Sequence, residues 1–145
     1  MPPVTVLHVC MGNICRSPMA ERLLLHALGD LPGEPGELVY VHSAGTGGWH
    51  AGEEMNPPAA REVRRRGADP SGFTARKLTG AHLDAADLIL TATADQQQYV
   101  LALRPDAGAR TFVLGEFGRL VADVDLDALP PFEPTPDAVY ARATA

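Results

Sequence analysis

A cysteine and an arginine six residues apart are the side chains of this sequence best suited to chemistry. Cys10 ends an apolar run, and Arg16 comes just before a segment with helical periodicity. A loop between a strand and a helix can point successive backbone N–H groups at an anion, and the helix N-terminus adds positive potential. The guanidinium of Arg16 can hold two phosphate oxygens, and Gly12 permits the tight turn. The spacing therefore predicts an oxyanion-binding loop from Cys10 to Ser17.

The same loop favours a nucleophilic sulfur at Cys10. Positive potential stabilises the thiolate form of a cysteine, which is the reactive form. The Ser17 hydroxyl can donate a hydrogen bond to that sulfur. A phosphoryl group held in the loop would meet Cys10 in line, so the sequence predicts nucleophilic attack on a bound phosphoryl group.

Strands and helices alternate along the chain and position this loop. Short apolar runs predict strands at residues 4–9, 38–42, 88–93 and 111–114. Helical periodicity predicts helices at residues 18–28, 57–66 and 95–103 and a last short helix from residue 135. For the helix at 95–103 we expect a capping-box-like start at Asp95 with Gln98, and for the helix at 57–66 a left-handed C-cap at Gly67. The alternation predicts a single-domain three-layer α/β fold with a central four-stranded parallel sheet and right-handed crossovers. Such sheets bind ligands at the carboxyl ends of their strands, where the Cys10 loop lies.

Composition limits the class of protein. The chain has 145 residues, 46% hydrophobic and 21% charged, which is typical of one globular domain over residues 1–145. No apolar run approaches the roughly 20 residues of a transmembrane helix, and no signal peptide is recognisable. We therefore expect a cytoplasmic protein without a membrane partner. The formal net charge of −6 argues against nucleic acid as the main partner.

The motif CMGNICRSP at residues 10–18 resembles the signature of the low-molecular-weight protein tyrosine phosphatases. Further similarity lies at residues 42–52, 75–78 and 86–90, at distances that match that family, so the resemblance covers roughly the first 115 residues. It implies the phosphatase fold and hydrolysis of phosphotyrosine or other aryl phosphomonoesters through a cysteinyl-phosphate intermediate. It implies no metal or organic cofactor.

The resemblance also implies roles for individual residues. The cysteine that attacks phosphorus in that family matches Cys10, and the arginine that binds the transferring group matches Arg16. Asn13 and Ser43 match residues that brace the loop. Ile14 and Trp49 match walls of the slot for the aryl ring. The other loop residues expected around the phosphate group are Met11, Gly12, Cys15 and Ser17.

Cys15, His8 and His42 can also be interpreted as residues with structural roles. A cysteine such as Cys15, taken alone, is usually a buried apolar residue, whereas the resemblance implies a reversible protective disulfide with Cys10. A zinc site at these two thiols is not favoured because no second pair of ligands follows in the sequence. His8 and His42 lie in predicted strands and are interpreted as packed residues rather than bases. The arginines at 64–66 are interpreted as a solvated helix end.

The chain departs from the family pattern at two places. Phe73 stands where the family usually has a histidine in the hydrogen-bond network behind the loop, so that network must be satisfied differently. The family's general acid is the aspartate of an Asp-Pro-aromatic segment near the C-terminus. Here the only Asp-Pro is Asp69-Pro70, while residues 129–132 read Leu-Pro-Pro-Phe. Residues 120–145 are therefore atypical, and positional transfer gives no acid.

Three explanations account for the missing acid. The first is that the chain is a truncated form, which its helix-like end favours. The second is that another carboxylate has taken over the role of general acid. The third is that the protein binds phosphate without turnover. The carboxylates available late in the chain are Asp123, Asp125, Asp127, Glu133 and Asp137. A general acid contributes roughly 10²–10⁴-fold, so its absence predicts an impaired enzyme.

The sequence thus predicts a cysteine-dependent phosphomonoesterase acting on a phosphotyrosine protein or a small aryl phosphate. The main alternative is a phosphate-binding regulatory module without turnover. An arsenate reductase on the same fold needs further cysteines, and none follows Cys15. A protein-arginine phosphatase is a third alternative. In related enzymes that activity goes with a threonine where this chain has Ile14, whose larger side chain suits a flat aryl ring.

Overall fold

The fold is seen in a computed structural model that describes residues 4–31, 38–130 and 141–144. Its strands are β1 (Val4–Cys10), β2 (Val39–Gly45), β3 (Leu88–Thr91) and β4 (Thr111–Val113). They form one parallel sheet in the order β2-β1-β3-β4. The interior strand β1 is rich in valine and buried along all but one of its positions, which is expected of a parallel strand covered on both faces. The predicted four-stranded parallel sheet is confirmed.

Five α-helices surround the sheet within residues 4–31 and 38–130, and residues 141–144 are helical as well. They are α1 (Arg16–Gly29), α2 (Pro57–Arg65), α3 (Gly80–Ala85), α4 (Ala94–Leu103) and α5 (Leu114–Ala122). Short 3-10 turns follow at Pro105–Arg110 and Leu126–Ala128. None of the described helices is long and apolar enough to cross a membrane.

The helices cover both faces of the sheet. On one face Val6 and Leu90 pack with Leu24 of α1 and Phe117 of α5. On the other face a second cluster, which includes Leu83 of α3 and Val100 of α4, covers the alternate strand residues. This alternation follows from the two-residue period of strand side chains, and it produces the expected three layers.

Several predicted boundaries change in the structure. Helix α1 begins at Arg16 rather than at residue 18, and β2 runs on to Gly45 rather than ending at residue 42. Helix α4 is capped by Thr93 with Gln96, since the Thr93 N–H donates to Gln96 Oε1 at 2.8 Å; the predicted cap at Asp95 with Gln98 is wrong. β3 and β4 end earlier than predicted, and α3 and α5 were not predicted.

Other boundaries agree with the sequence. Helix α2 covers nearly the predicted span, and Gly67 after it has a φ of 85°, as a left-handed C-cap requires. The last predicted helix begins at residue 135, which lies outside the described residues.

Candidate active site

The loop from Met11 to Cys15 connects the carboxyl end of β1 to the N-terminus of α1. Two of its carbonyl groups, and that of Cys10 before it, accept hydrogen bonds from neighbouring segments. Thr46 N donates to Cys10 O and Gly47 N to Met11 O, both at 2.9 Å, and Asn56 N donates to Ile14 O at 2.7 Å. Because these carbonyls point to neighbouring segments, the loop is left with N–H groups to offer an anion.

Two backbone features make the loop fold this way. Asn13 has a φ of 57°, a left-handed conformation that asparagine tolerates better than most residues. Gly45, at the end of β2, lies directly beneath the loop. A Cβ at Gly45 would stand 2.7 Å from Met11 O and 2.9 Å from Asn13 N, so only glycine allows this approach.

Cys10 is buried at the base of the loop, with 2% of its surface exposed. Its sulfur lies 2.9 Å from Ser17 Oγ, and the Asn13 N–H donates to it at 3.3 Å. Both contacts bring hydrogen-bond donors to a sulfur that already faces a helix N-terminus. This arrangement stabilises negative charge on Cys10.

Asn13 organises the side chains behind the loop. Its Nδ2 donates to Ser17 Oγ and to Ser43 Oγ, each at 2.9 Å, and its Oδ1 accepts from Arg76 N at 2.9 Å. The Arg76 bond fixes the orientation of the amide because a backbone N–H can only donate. Ser17 Oγ therefore accepts from Asn13 and has its own hydrogen free for Cys10.

Glu21 ends this network, in a role that the sequence analysis missed. Ser43 Oγ donates to Glu21 Oε1 at 2.8 Å, and Arg22 Nε lies 3.0 Å from Glu21 Oε2. Burial raises the pKa of Glu21, while the Ser43 hydrogen bond and the Arg22 charge oppose that rise. Its position four residues after Ser17 on one helix is the signal that could have identified it.

Phe73 does not replace the family's histidine in the network. Its ring is buried in an apolar cluster that includes Val63 of α2, and the Arg22 guanidinium carbon lies 5.9 Å from the ring centroid. The polar contacts behind the loop are supplied by Glu21 and Arg22 instead. The network is thus satisfied differently, as expected.

The rim of the loop carries exposed side chains. Arg16 is exposed, Met11 is 52% exposed and Trp49 is 72% exposed. His50 Nδ1 lies 2.7 Å from Glu53 Oε2, and its ring approaches Gly12, where a Cβ would be 3.0 Å from Cδ2.

Ile14, in the loop, is half-buried and packs against the apolar cluster that includes Val63 and Phe73. Cys15 is exposed, so the reading of it as a buried apolar residue is wrong; both cysteines are free thiols here.

His8 and His42 are buried, which confirms that they are packed residues. Burial lowers the pKa of each to about 4, and the charge of His42 adds to the effect on His8. Both rings are therefore neutral at neutral pH. In the arginine run, Arg65 and Arg66 are exposed and pair with Glu62, as expected of a solvated helix end.

The late carboxylates give no clear proton donor. Asp123, Asp125 and Asp127 are exposed after α5, and Asp125 is engaged locally, accepting from Asp127 N at 3.0 Å. Glu133 and Asp137 lie outside the described residues. Within the described ranges no group of three or more His, Cys, Asp or Glu side chains could hold a metal ion.

Comparisons with known proteins agree with this geometry. The family model described as "Low molecular weight phosphotyrosine protein phosphatase" matches residues 5–142. The probable low molecular weight protein-tyrosine-phosphatase EpsP of Ralstonia solanacearum is 40% identical over 121 residues, which cover 83% of this chain and 76% of the relative.

Solved structures share the fold. The crystal structure of YfkJ from Bacillus subtilis has a TM-score of 0.73 at 29% identity. The match covers 97% of this chain and 87% of the YfkJ chain. The YwlE arginine phosphatase from Geobacillus stearothermophilus has a TM-score of 0.68 at 31% identity. The match covers 97% of this chain and 83% of the YwlE chain. The parallel sheet with its loop before α1 is therefore an architecture with known representatives.

Proposed function

The chain belongs to the low molecular weight phosphotyrosine protein phosphatase family, and from that premise we propose that Cys10 and Arg16 carry out the hydrolysis of phosphotyrosine and related aryl phosphates. The observation that carries this assignment is the 2.9 Å contact between Cys10 Sγ and Ser17 Oγ at the base of an anion-binding loop. A nucleophile held by a hydroxyl donor, with an arginine at the loop's end, suits phosphoryl transfer.

The reaction takes two steps. In the first, the Cys10 thiolate attacks phosphorus, an S–P bond forms, and the P–O bond to the aryl group breaks with its electron pair leaving on oxygen. Arg16 and the loop N–H groups stabilise the charge on the phosphoryl oxygens. In the second step water attacks phosphorus, the S–P bond breaks, and Ser17 stabilises the departing thiolate while inorganic phosphate is released.

No proton donor for the leaving oxygen is identified among the described residues of this site. The family's aspartate has no counterpart at residues 129–132, and we assign the role to no residue of this chain. An aryl oxygen leaves more easily than an alkyl oxygen because its conjugate acid is stronger. The proposed substrates are therefore aryl phosphates rather than alkyl phosphates.

Ile14 supports an aryl substrate over phosphoarginine. Its apolar side chain packs on the cluster that includes Val63 and Phe73, is larger than that of threonine, and offers no polar partner to a guanidinium. Trp49 adds an exposed ring at the rim. We propose a phosphotyrosine side chain of a protein as the substrate, in the cytoplasm, where the two thiols would stay reduced.

A phosphate-binding module without turnover is the second candidate, and the missing acid favours it. One experiment separates the two. Phosphate release from a phosphotyrosine peptide is measured for the unmodified protein, for Cys10→Ser and for Glu116→Ala, an exposed position on α5, as the control. We expect release by the unmodified protein and by Glu116→Ala, and none by Cys10→Ser. Tight peptide binding without release by the unmodified protein would establish the binding module instead.

A further inference from the structure

His8 is a buried histidine behind the phosphate-binding loop that the mechanism does not use. It lies in β1, two residues before Cys10 and therefore on the same face of the sheet. Only 4% of its surface is exposed, and neither ring nitrogen has a hydrogen-bond partner within the described residues. A neutral imidazole has one donor and one acceptor nitrogen, and burying both unpaired is unfavourable.

The His8 ring borders a small cavity at the base of α1. The cavity has a volume of about 30 Å³, and its polar lining residues are His8, Arg16, Ser17 and Thr91. The other residues that line the cavity are apolar: Val9, Ala20, Leu90, Ala92 and Leu114. One water molecule needs roughly 10–15 Å³ of such space, so the cavity has room for a water molecule.

Two of the four polar lining residues already have partners. Ser17 Oγ accepts from Asn13 and contacts Cys10 Sγ, and Thr91 Oγ1 donates to Thr93 O at 2.9 Å. The side chain of Arg16 has no hydrogen bond or ion pair with any residue in the described part of the chain. The His8 ring is thus the buried group left to be satisfied, and the Arg16 guanidinium is available to donate.

We propose that the cavity holds a water molecule that accepts a hydrogen bond from Arg16 and donates one to His8. The directions follow from the groups themselves: a guanidinium can only donate, and a neutral imidazole has one nitrogen that accepts. His8 is then a positioning residue for Arg16. The inference rests on the proposed role of Arg16 in phosphate binding.

The neutral state of His8 supports this arrangement. Burial lowers the pKa of His8 to about 4, so the ring keeps its acceptor nitrogen at neutral pH. A protonated ring would have donors at both nitrogens and would repel Arg16. His42 provides a contrast because it is buried on the opposite face of the sheet, where its ring packs between those of Tyr40 and His82.

Three variants test the positioning role through the dissociation constant of inorganic phosphate, measured by calorimetry. His8→Phe fills the space without an acceptor, and we expect binding roughly threefold to tenfold weaker, the range for one lost hydrogen bond. His8→Gln offers an amide oxygen, and we expect it to restore binding to within about twofold. His42→Phe is the matched control and should bind phosphate like the unmodified protein. In kinetics, His8→Phe should raise KM more than it lowers kcat.

An atomic-resolution crystal structure of the unmodified, anion-free protein tests the water directly. We expect ordered density within about 3 Å of both a His8 nitrogen and the Arg16 guanidinium. An empty cavity, or a side chain filling it, would overturn the inference, as would unchanged phosphate binding in His8→Phe. These readouts do not need turnover. Weaker phosphate binding in His8→Phe, in a protein that hydrolyses no substrate, would reject the proposed function and support this inference.

Discussion

Glu21 accepts a hydrogen bond from Ser43 at 2.8 Å, and this contact ends a chain of hydrogen bonds that begins at the Cys10 sulfur. The chain passes through Ser17, Asn13 and Ser43. An ionised carboxylate can only accept, so Glu21 fixes the direction of the Ser43 hydroxyl, which must then accept from Asn13. A buried charge on α1 is therefore coupled to the side chain that holds the loop in shape.

Glu21→Ala tests this coupling. The change leaves the Ser43 hydroxyl and the Arg22 guanidinium without their buried partner, and we expect a loss of stability on the order of 3 kcal/mol. Urea unfolding at neutral pH measures it. The exposed Glu116→Ala on α5 is the control and should change stability by less than about 0.5 kcal/mol. Equal stability of the two variants would mean that Glu21 contributes nothing to the network.

Asn13→Ala removes three hydrogen bonds and places alanine at a φ of 57°. The loop would lose its orientation toward phosphate, and we expect kcat/KM on an aryl phosphate to fall about tenfold to hundredfold. Asn56→Ala is the matched control because the Asn56 side chain makes no capping bond at α2. A similar fall in both variants would point to a general effect on folding rather than to the loop.

Gly45→Ala tests the close approach of β2 to the loop. Its Cβ would stand 2.7 Å from Met11 O, so the loop backbone must shift, and we expect at least a tenfold loss of kcat/KM, on the order of the loss expected from misplaced catalytic groups. Gly29→Ala at the end of α1 is the control, since nothing lies within 4 Å of its Cβ position. Full activity of Gly45→Ala would show that the loop tolerates displacement.

The buried histidines predict acid sensitivity. Burial lowers the pKa of His8 and of His42 from 6.5 to about 4, so between these values the unfolded chain binds more protons than the folded one. Stability is therefore fully present above pH 6.5 and is lost as the pH falls toward 4. For His8 the loss is about 2–3 kcal/mol. Urea unfolding from pH 7 to pH 4.5 measures it, and His8→Gln should show a smaller decline.

A series of aryl phosphates tests the missing acid. Without a proton donor, kcat/KM should fall steeply as the pKa of the leaving phenol rises, because the oxygen departs with its full negative charge. A shallow dependence would instead reveal a donor. Asp123→Asn, Asp125→Asn and Asp127→Asn would then identify it, since the variant that lacks the donor should restore the steep dependence.

The sequence by itself determined the sheet and the position of the loop. Valine-rich β1 is buried on both faces, and the glycine, the arginine and Pro18 mark the turn and the start of α1. These are local signals, since a strand's burial pattern and a helix start depend on residues close together in the chain. Helix α3 has six residues, too few to show a helical period, whereas α5 carries Leu114, Phe117 and Val121 at helical spacing, a signal that the sequence analysis missed.

Only the tertiary structure decided what lies behind the loop. Ser43 is 22 residues from Glu21, and Arg76 is 63 residues from Asn13, so no local pattern reports that they meet. The same holds for the exposure of Cys15 and for the cavity between His8 and Arg16. Hydrogen-bond partners and cavities are set by how helices pack on the sheet, which is a property of the whole fold rather than of any segment.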